Sequence, residues 1–185
     1  MTVKNILSLA AANLGREDLV AAVYDCAQEP WGEVASLLRC YNLVENEIAL
    51  DYFPLKTEET LVSCGSVIPY ARLQHAPVTI LSVTDENGNA ENFEVRPARI
   101  VLTGCKNRKL KVVYTYSPAE KLFTDCCELG GKISARLLSF GVACEFCLTN
   151  GQFAEAAAWE KKYREALRAA NTTRRPLSVR SRRWV

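Results

Sequence analysis

Ile48-Ala49-Leu50-Asp51-Tyr52-Phe53-Pro54-Leu55-Lys56-Thr57-Glu58-Glu59-Thr60-Leu61-Val62-Ser63-Cys64 is the stretch in which the apolar period of the chain changes from about 3.6 residues to about 2. Upstream, Val34, Leu37, Leu38, Tyr41, Ile48 and Tyr52 fall on one helical stripe, with Arg39, Glu45 and Glu47 off it, and Pro54 closes the helix. Downstream, residues 59–117 are rich in Val, Ile, Thr and Tyr. Turn signals cut them into predicted strands Thr60–Cys64, Val67–Leu73, Val78–Thr84, Asn92–Arg96, Arg99–Thr103 and Leu110–Tyr116. Asn87-Gly88 reads as a hairpin turn, because both positions tolerate positive φ, and Cys105-Lys106-Asn107-Arg108-Lys109 as a second, polar hairpin loop. Strands this short and closely spaced pair antiparallel, since parallel pairing needs long crossovers. A small sandwich or partly open barrel is the expected solution.

Helical patterns flank this segment. Val3, Ile6, Leu7, Ala10 and Leu14 recur at helical spacing up to Gly15, and Leu19, Val20, Val23, Tyr24 and Ala27 make a second apolar face that Pro30 stops. Helix is expected to return after Pro118. Residues 132–149 are apolar on most sides, through Ile133, Leu137, Leu138, Phe140, Val142, Ala143, Phe146 and Leu148, which predicts a helix in the middle of a bundle. Asn150-Gly151 breaks it. The last helix, Phe153 to Ala170, turns Phe153, Ala156, Trp159, Tyr163, Ala166, Leu167 and Ala170 to the core, and Asn171 is the expected C-terminal cap. The fold class is therefore α+β: a helical bundle from N- and C-terminal helices with an inserted antiparallel β domain and an extended C-terminal arm. Residues 1–56 supply the first bundle helices, 57–117 the β domain, 118–171 the completing helical hairpin and 172–185 the arm.

Of the 185 residues, 49% are hydrophobic and 24% charged, enough to bury a core. The net charge of +2 hides an uneven distribution. Residues 172–185 hold five Arg and no acid, so the preceding residues carry 18 of the 23 basic side chains against all 21 acidic ones. An acidic body followed by a basic arm calls for a partner for the arm. Met1 to Gly15 mixes Lys4, Asn5 and Asn13 into its apolar pattern, so no secretory leader is expected. The longest apolar run, Leu137 to Cys144, is far short of the roughly 20 residues of a membrane span.

Catalytic signals are weak. His75, the one histidine, has no nucleophile elbow around it and reads as a surface or rim residue. Gly130-Gly131-Lys132 lacks the rest of a phosphate-binding loop: Cys126 stands where the first Gly belongs and Ile133 where Ser or Thr would reach magnesium. Cys144 and Cys147, with Cys126 and Cys127 nearby in sequence, offer four thiolates for zinc, but a pair one helical turn apart suits packing better than a zinc knuckle. The eight cysteines (Cys26, Cys40, Cys64, Cys105, Cys126, Cys127, Cys144, Cys147) read as small buried hydrophobes in a reducing compartment. No catalytic residue, cofactor or metal is expected.

The arm is the most informative segment. Arg174, Arg175, Arg180, Arg182 and Arg183 alternate with Leu177, Val179 and Trp184, and Pro176 forbids a helix through them. Alone, such a segment buries too little to order itself. Arg and Trp are enriched at protein-binding hot spots, while five Arg also suit phosphate, so nucleic-acid binding is the competing reading.

Ala135 to Leu167, an apolar helix (ARLLSFGVACEFCLT), the turn Asn150-Gly151 and an amphipathic helix with Tyr163 and alanines on its packed face, resembles the head-to-tail adaptor proteins of tailed bacteriophages, nearest in layout to the tail-tubular or gatekeeper type. Asn5 to Gly15 is similar to the opening helix of that family. The resemblance implies a structural, non-enzymatic subunit at the head–tail junction of a virion, made in the host cytoplasm. It implies a ring of about twelve copies beneath a portal protein and above a tail or nozzle protein. Arg174 to Val185 would dock into the portal. Double-stranded DNA would pass through the lumen without sequence-specific binding, and no membrane is involved.

Overall fold

The computed structural model describes residues 1–25, 31–104, 108–131 and 133–172. The elements are α1 (Val3–Asn13), α2 (Glu17–Asp25), α3 (Gly32–Glu47), β1 (Leu55–Val62), β2 (Val67–Pro69), β3 (Pro77–Asp85), β4 (Phe93–Arg96), β5 (Arg99–Leu102), β6 (Lys109–Tyr116), α4 (Ala135–Thr149) and α5 (Phe153–Asn171). This is the α+β composition expected from the change of period. The chain divides into two compact units. One comprises residues 1–41, 123–125 and 130 onward; the other comprises residues 42–122 and 126–129.

The helical unit is organised around α4, which buries Leu137, Leu138, Gly141, Val142, Ala143, Phe146 and Cys147 around its whole circumference. Ser134 caps its N-terminus by accepting the Leu137 N–H at 3.1 Å. That cap starts the helix at Ala135, later than the return expected after Pro118. The intervening residues carry no helix or strand among those described. At the far end the Gly151 N–H donates to Leu148 and the Gln152 N–H to Cys147, closing a Schellman motif that needs the positive φ of Gly151. The chain reverses there, and α5 packs along α4.

On α5 only Ala156, Tyr163 and Leu167 are buried, and Phe153, expected in the core, is 70% exposed because it opens the first turn beyond the reversal. Nor is Asn171 the cap. It is the last helical residue, and Thr172 caps by donating its N–H and hydroxyl to the Arg168 carbonyl. Helix α1 also packs on α4, with Val3, Ile6, Leu7 and Ala10 buried as its stripe required; Leu14, the last of that stripe, is only half-buried because it caps the helix, and Ala11 is buried instead. The Asn13 amide of α1 donates to the buried Ser139 hydroxyl of α4 at 2.9 Å. In α2, Leu19 and Val23 are buried, but Tyr24, expected on that face, is 59% exposed.

The second unit is a sandwich of two three-stranded antiparallel sheets, ordered β1-β6-β3 and β2-β5-β4. All six strands fall where the alternation placed them, although β1 starts earlier, at Leu55, and β2 gives way to a short helical turn, Tyr70–Arg72. Ile80, Val83, Leu110, Val112 and Tyr114 of one sheet meet Ile68, Ile100 and Leu102 of the other in one core. The two predicted hairpins are corrected by this order. Asp85 does build a turn, accepting the N–H groups of Asn87 and Asn89, and residues 89–91 fold back antiparallel on the end of β3 through the Asp85 and Glu91 N–H groups and the Thr84–Ala90 bridge, but β4 then joins the other sheet. Likewise β5 and β6 belong to different sheets, and Cys105 to Asn107 of the predicted loop lie outside the described residues. Local turn chemistry cannot distinguish a strand that folds back on its neighbour from one that crosses to the opposing sheet.

The α3 helix closes into a π-helical turn, Ile48–Tyr52, in which the Phe53 N–H reaches the Ile48 carbonyl at 2.7 Å. The wider turn rotates the stripe, so Ile48 is buried while Tyr52, expected on the same face, is 37% exposed. Nor is Glu45 on a polar face: it is buried and accepts the Glu128 N–H at 2.9 Å. Asn42, one turn earlier, pairs with both backbone groups of Lys121 (2.8 and 3.1 Å), and Asn46 accepts from Ser117. Three polar side chains of one helix therefore hold residues 117–128, which have no backbone ladder to satisfy them.

Replacing Asn42 by Ala leaves both Lys121 backbone groups without that partner. The expected cost is about 1–3 kcal/mol in chemical denaturation. Asn42→Asp, which keeps the acceptor and loses the donor, is expected to recover part of it.

Candidate interaction surface

At the start of the chain the helical unit builds a corner of opposite charges beside uncovered aromatic side chains. Gly15 adopts φ 69°, and the N–H groups of Gly15 and Arg16 satisfy Ala12 and Ala11, ending α1 with a second Schellman motif. The chain turns at once into α2, which places Arg16 between two elements. Its guanidinium contacts Asp18 of α2 at 2.7 Å and Glu33, in the first turn of α3, also at 2.7 Å. This pinned corner fixes the entry of α2 against that of α3. The Arg16 guanidinium holds the Asp18 carboxyl down at about 2, and the two carboxylates raise the guanidinium further above its ordinary value. Lys4 donates to the Tyr24 carbonyl at 2.9 Å and sits over the Tyr24 and Phe123 rings.

Between α2 and α3 lies a cleft of about 500 Å³. Buried Leu19 and Val34 form its apolar depth, with Ala22 and Trp31, while the exposed carboxylates of Asp18, Asp25 and Glu33 stand around it. Trp31 is 83% exposed. An indole this open, lining an apolar cleft, is the kind of side chain that serves as an interface anchor. The last helix of the unit is also half covered. Outside its buried stripe, α5 exposes Ala154, Ala157 and Ala158 along with Lys161, Arg164 and Arg168, and a shallow groove of about 380 Å³ runs between Ala157 and Arg168.

The partner-binding residues expected from sequence, Arg174, Arg175, Leu177, Val179, Arg180, Arg182, Arg183 and Trp184, lie outside the described residues. His75 is half-buried, its ring stacked on Tyr116 at 4.2 Å, and its backbone N–H donates to the Tyr114 hydroxyl at 3.2 Å. Tyr114 in turn donates to Glu59, which also accepts the Gln74 N–H. Burial, and then the hydrogen bond to Glu59, push the Tyr114 phenol up to about 12, so it stays protonated and tethers Glu59. Ser134, not Gly130-Gly131, opens α4.

Cys40, Cys144 and Cys147 are buried, the Cys144 thiol against the Ala156 carbonyl. Burial raises the Cys40 and Cys147 thiols. Cys64 and Cys126 are exposed, which departs from the expectation of uniformly buried thiols. Among the described residues, no group of three His, Cys, Asp or Glu converges as a metal site would, and no helix is long and apolar enough to cross a membrane. The α2–α3 cleft is not marked by the periodicity, because Leu19 and Val34, which form its depth, each read as core positions of their own helices. The available signal was Trp31 itself, a large aromatic just before a helix and outside any apolar stripe.

No protein-family model matches the chain, and no curated protein matches it.

Asp18 carries the pH dependence of this corner. Its carboxyl titrates lower in the folded protein than in the unfolded chain. The stabilising link to Arg16 is therefore present above about pH 4 and is lost as pH falls towards about 2. Asp18→Asn is expected to lower the denaturation midpoint modestly at pH 6 and low salt, with the difference vanishing near pH 2 and shrinking in high salt. Paired urea titrations across that range check it.

Proposed function

We propose that the chain is a structural head-to-tail adaptor, one subunit of a closed ring that joins the portal of a tailed-bacteriophage virion to its tail. The observation that carries this reading is an α+β body, with large aromatic side chains uncovered on its helical unit, that is followed in sequence by a segment of five Arg, two aliphatic residues and a Trp. Trp31 and Phe153 are the most exposed large apolar side chains among the described residues, and aromatic residues of this kind are enriched at protein interfaces. Such a surface is explained by assembly. The order of three helices, an antiparallel β segment and two helices is also the order that the resemblance of residues 135–167 implies.

In this reading Arg174 to Val185 docks into the portal, orders on binding, and so makes assembly sequential. A ring repeats each contact at every subunit, about twelve times here, so modest contacts add up to a durable joint. The tail or nozzle protein binds the other side, and double-stranded DNA passes through the lumen without sequence readout. The ring performs no catalysis. Its work is to hold two assemblies in register.

The competing reading, a nucleic-acid-binding protein that uses the same five Arg, rests on their affinity for phosphate. The two part on salt and on the aromatic residue. Deleting residues 173–185, which spares the Thr172 cap, is expected to leave helicity and thermal midpoint unchanged and to abolish co-sedimentation with portal particles. Trp184→Ala is expected to weaken that joining by about 2 kcal/mol or more, and Arg174→Ala by less than about 1 kcal/mol, because a buried aromatic anchor outweighs a rim charge. Normal joining by the truncated chain removes the adaptor reading. The reverse order of the two substitutions, with steeply salt-dependent DNA retention, favours the nucleic-acid reading.

A further inference from the structure

We infer that the α2–α3 cleft is one half of the subunit–subunit contact and that its occupant is the outer face of α5 from a second copy of this chain. The inference rests on the ring proposed above and names the surfaces that close it.

Three observations converge within the helical unit. The first is exposure: α2 packs on α1 and α5 on α4, and each of the two keeps an exposed face. A contact between these unlike faces is heterologous, the head of one copy on the tail of the next, and its repetition gives a ring when the rotation between copies closes.

The second is charge. Asp18, Asp25 and Glu33 line the cleft and Glu17 is exposed in the first turn of α2 beside it in sequence, while the Arg16 guanidinium pairs with Asp18 and Glu33. The α5 face carries Lys161, Lys162, Arg164 and Arg168 against Glu160 and Glu165. Arg164 is already paired with Glu160, and Lys162 lies over the Trp159 ring at 3.9 Å. Lys161 and Arg168 are thus the cations best placed to meet carboxylates from outside. Complementary fields of this kind steer encounter and set orientation.

The third is shape. The cleft side contributes the bulky, open Trp31, whereas α5 offers Ala154, Ala157 and Ala158 beside its shallow groove. Small side chains let an indole approach a helix backbone, as a knob enters a hole. A contact with two like faces would set Trp31 against Trp31 and acid against acid, which these charges oppose.

A heterologous contact has a signature that a charge swap reads directly. One variant reverses the cleft side, Glu17→Lys with Asp25→Lys; the other reverses the α5 side, Lys161→Glu with Arg168→Glu. All four residues are exposed, and circular dichroism of each purified variant confirms that it folds. Each variant alone presents like charges at every junction and is expected to complete rings on portal particles at least about tenfold less than the native chain. An equimolar mixture is expected to restore ring completion, because the two variants alternate around the ring with opposite charges at every junction.

If each variant alone completes rings as the native chain does, or if the mixture fails to restore what the single variants lose, the assigned contact is overturned while the adaptor reading stands. If the native chain does not join portals at all, the adaptor reading falls. Sedimentation of the purified chain at high concentration then judges the contact separately. Self-association that is lost in each variant and regained in the mixture upholds it, and any other pattern overturns it.

Discussion

The fold depends on covering α4. A helix with Leu138, Val142 and Cys147 buried on opposite sides has no face to give to water, and one neighbour cannot cover it. The chain supplies α5 immediately, through the two-residue reversal at Asn150-Gly151, and must bring the second cover from elsewhere. That cover is α1, the first helix of the chain. Once the first and fifth helices share α4, everything between Asn42 and Leu122 is an insertion in the helical unit and has to form its own core. The insertion does so with two small sheets rather than one, because alternate residues of β5 and β6, with Ile80 and Val83 of β3 on either side of a bulge, then share a single apolar interior.

Polar side chains, more than apolar ones, decide how the second unit is finished. Asn42, Glu45 and Asn46 lie within little more than one turn of α3 and give their hydrogen bonds to residues 117–128. In the same unit Lys121, nearly buried, pairs with Glu128. The buried Glu45 carboxylate and the buried Lys121 ammonium are costly unless satisfied; the Glu128 N–H satisfies the first and the Glu128 carboxylate the second. Such a network specifies one arrangement of an irregular segment that hydrophobic burial alone would leave loosely defined.

What the helical unit leaves uncovered is as informative as what it buries. Two of its exposed faces differ in charge and in side-chain size, acidic and aromatic beside α2, cationic and small along α5. Asp18 and Glu33 also serve the single copy, through Arg16, whereas the open Trp31 and the exposed alanines of α5 have no such partner role within one copy in the hydrogen bonds and ion pairs of the described residues.

The periodicities by themselves determined the class of the fold: the helices, the six strands, the antiparallel pairing and the central place of α4 all follow from local spacing. Residue types also marked the arm, where Arg174 to Val185 combine charge with Leu177, Val179 and Trp184. Partner choice was not legible. The Asn87-Gly88 turn is the same whether the next strand returns to its own sheet or crosses to the other, and only the shared core chose the crossing. Glu45 has the sequence context of a surface residue, and it is buried because Glu128, 83 residues away, brings a backbone N–H to it. Tyr24 stays 59% exposed although Lys4 of α1 lies over its ring, and Trp31 is 83% exposed. Sequence spacing reports which side chains of one element share a face; which element then covers that face is a property of long-range packing, and only the tertiary structure decided it.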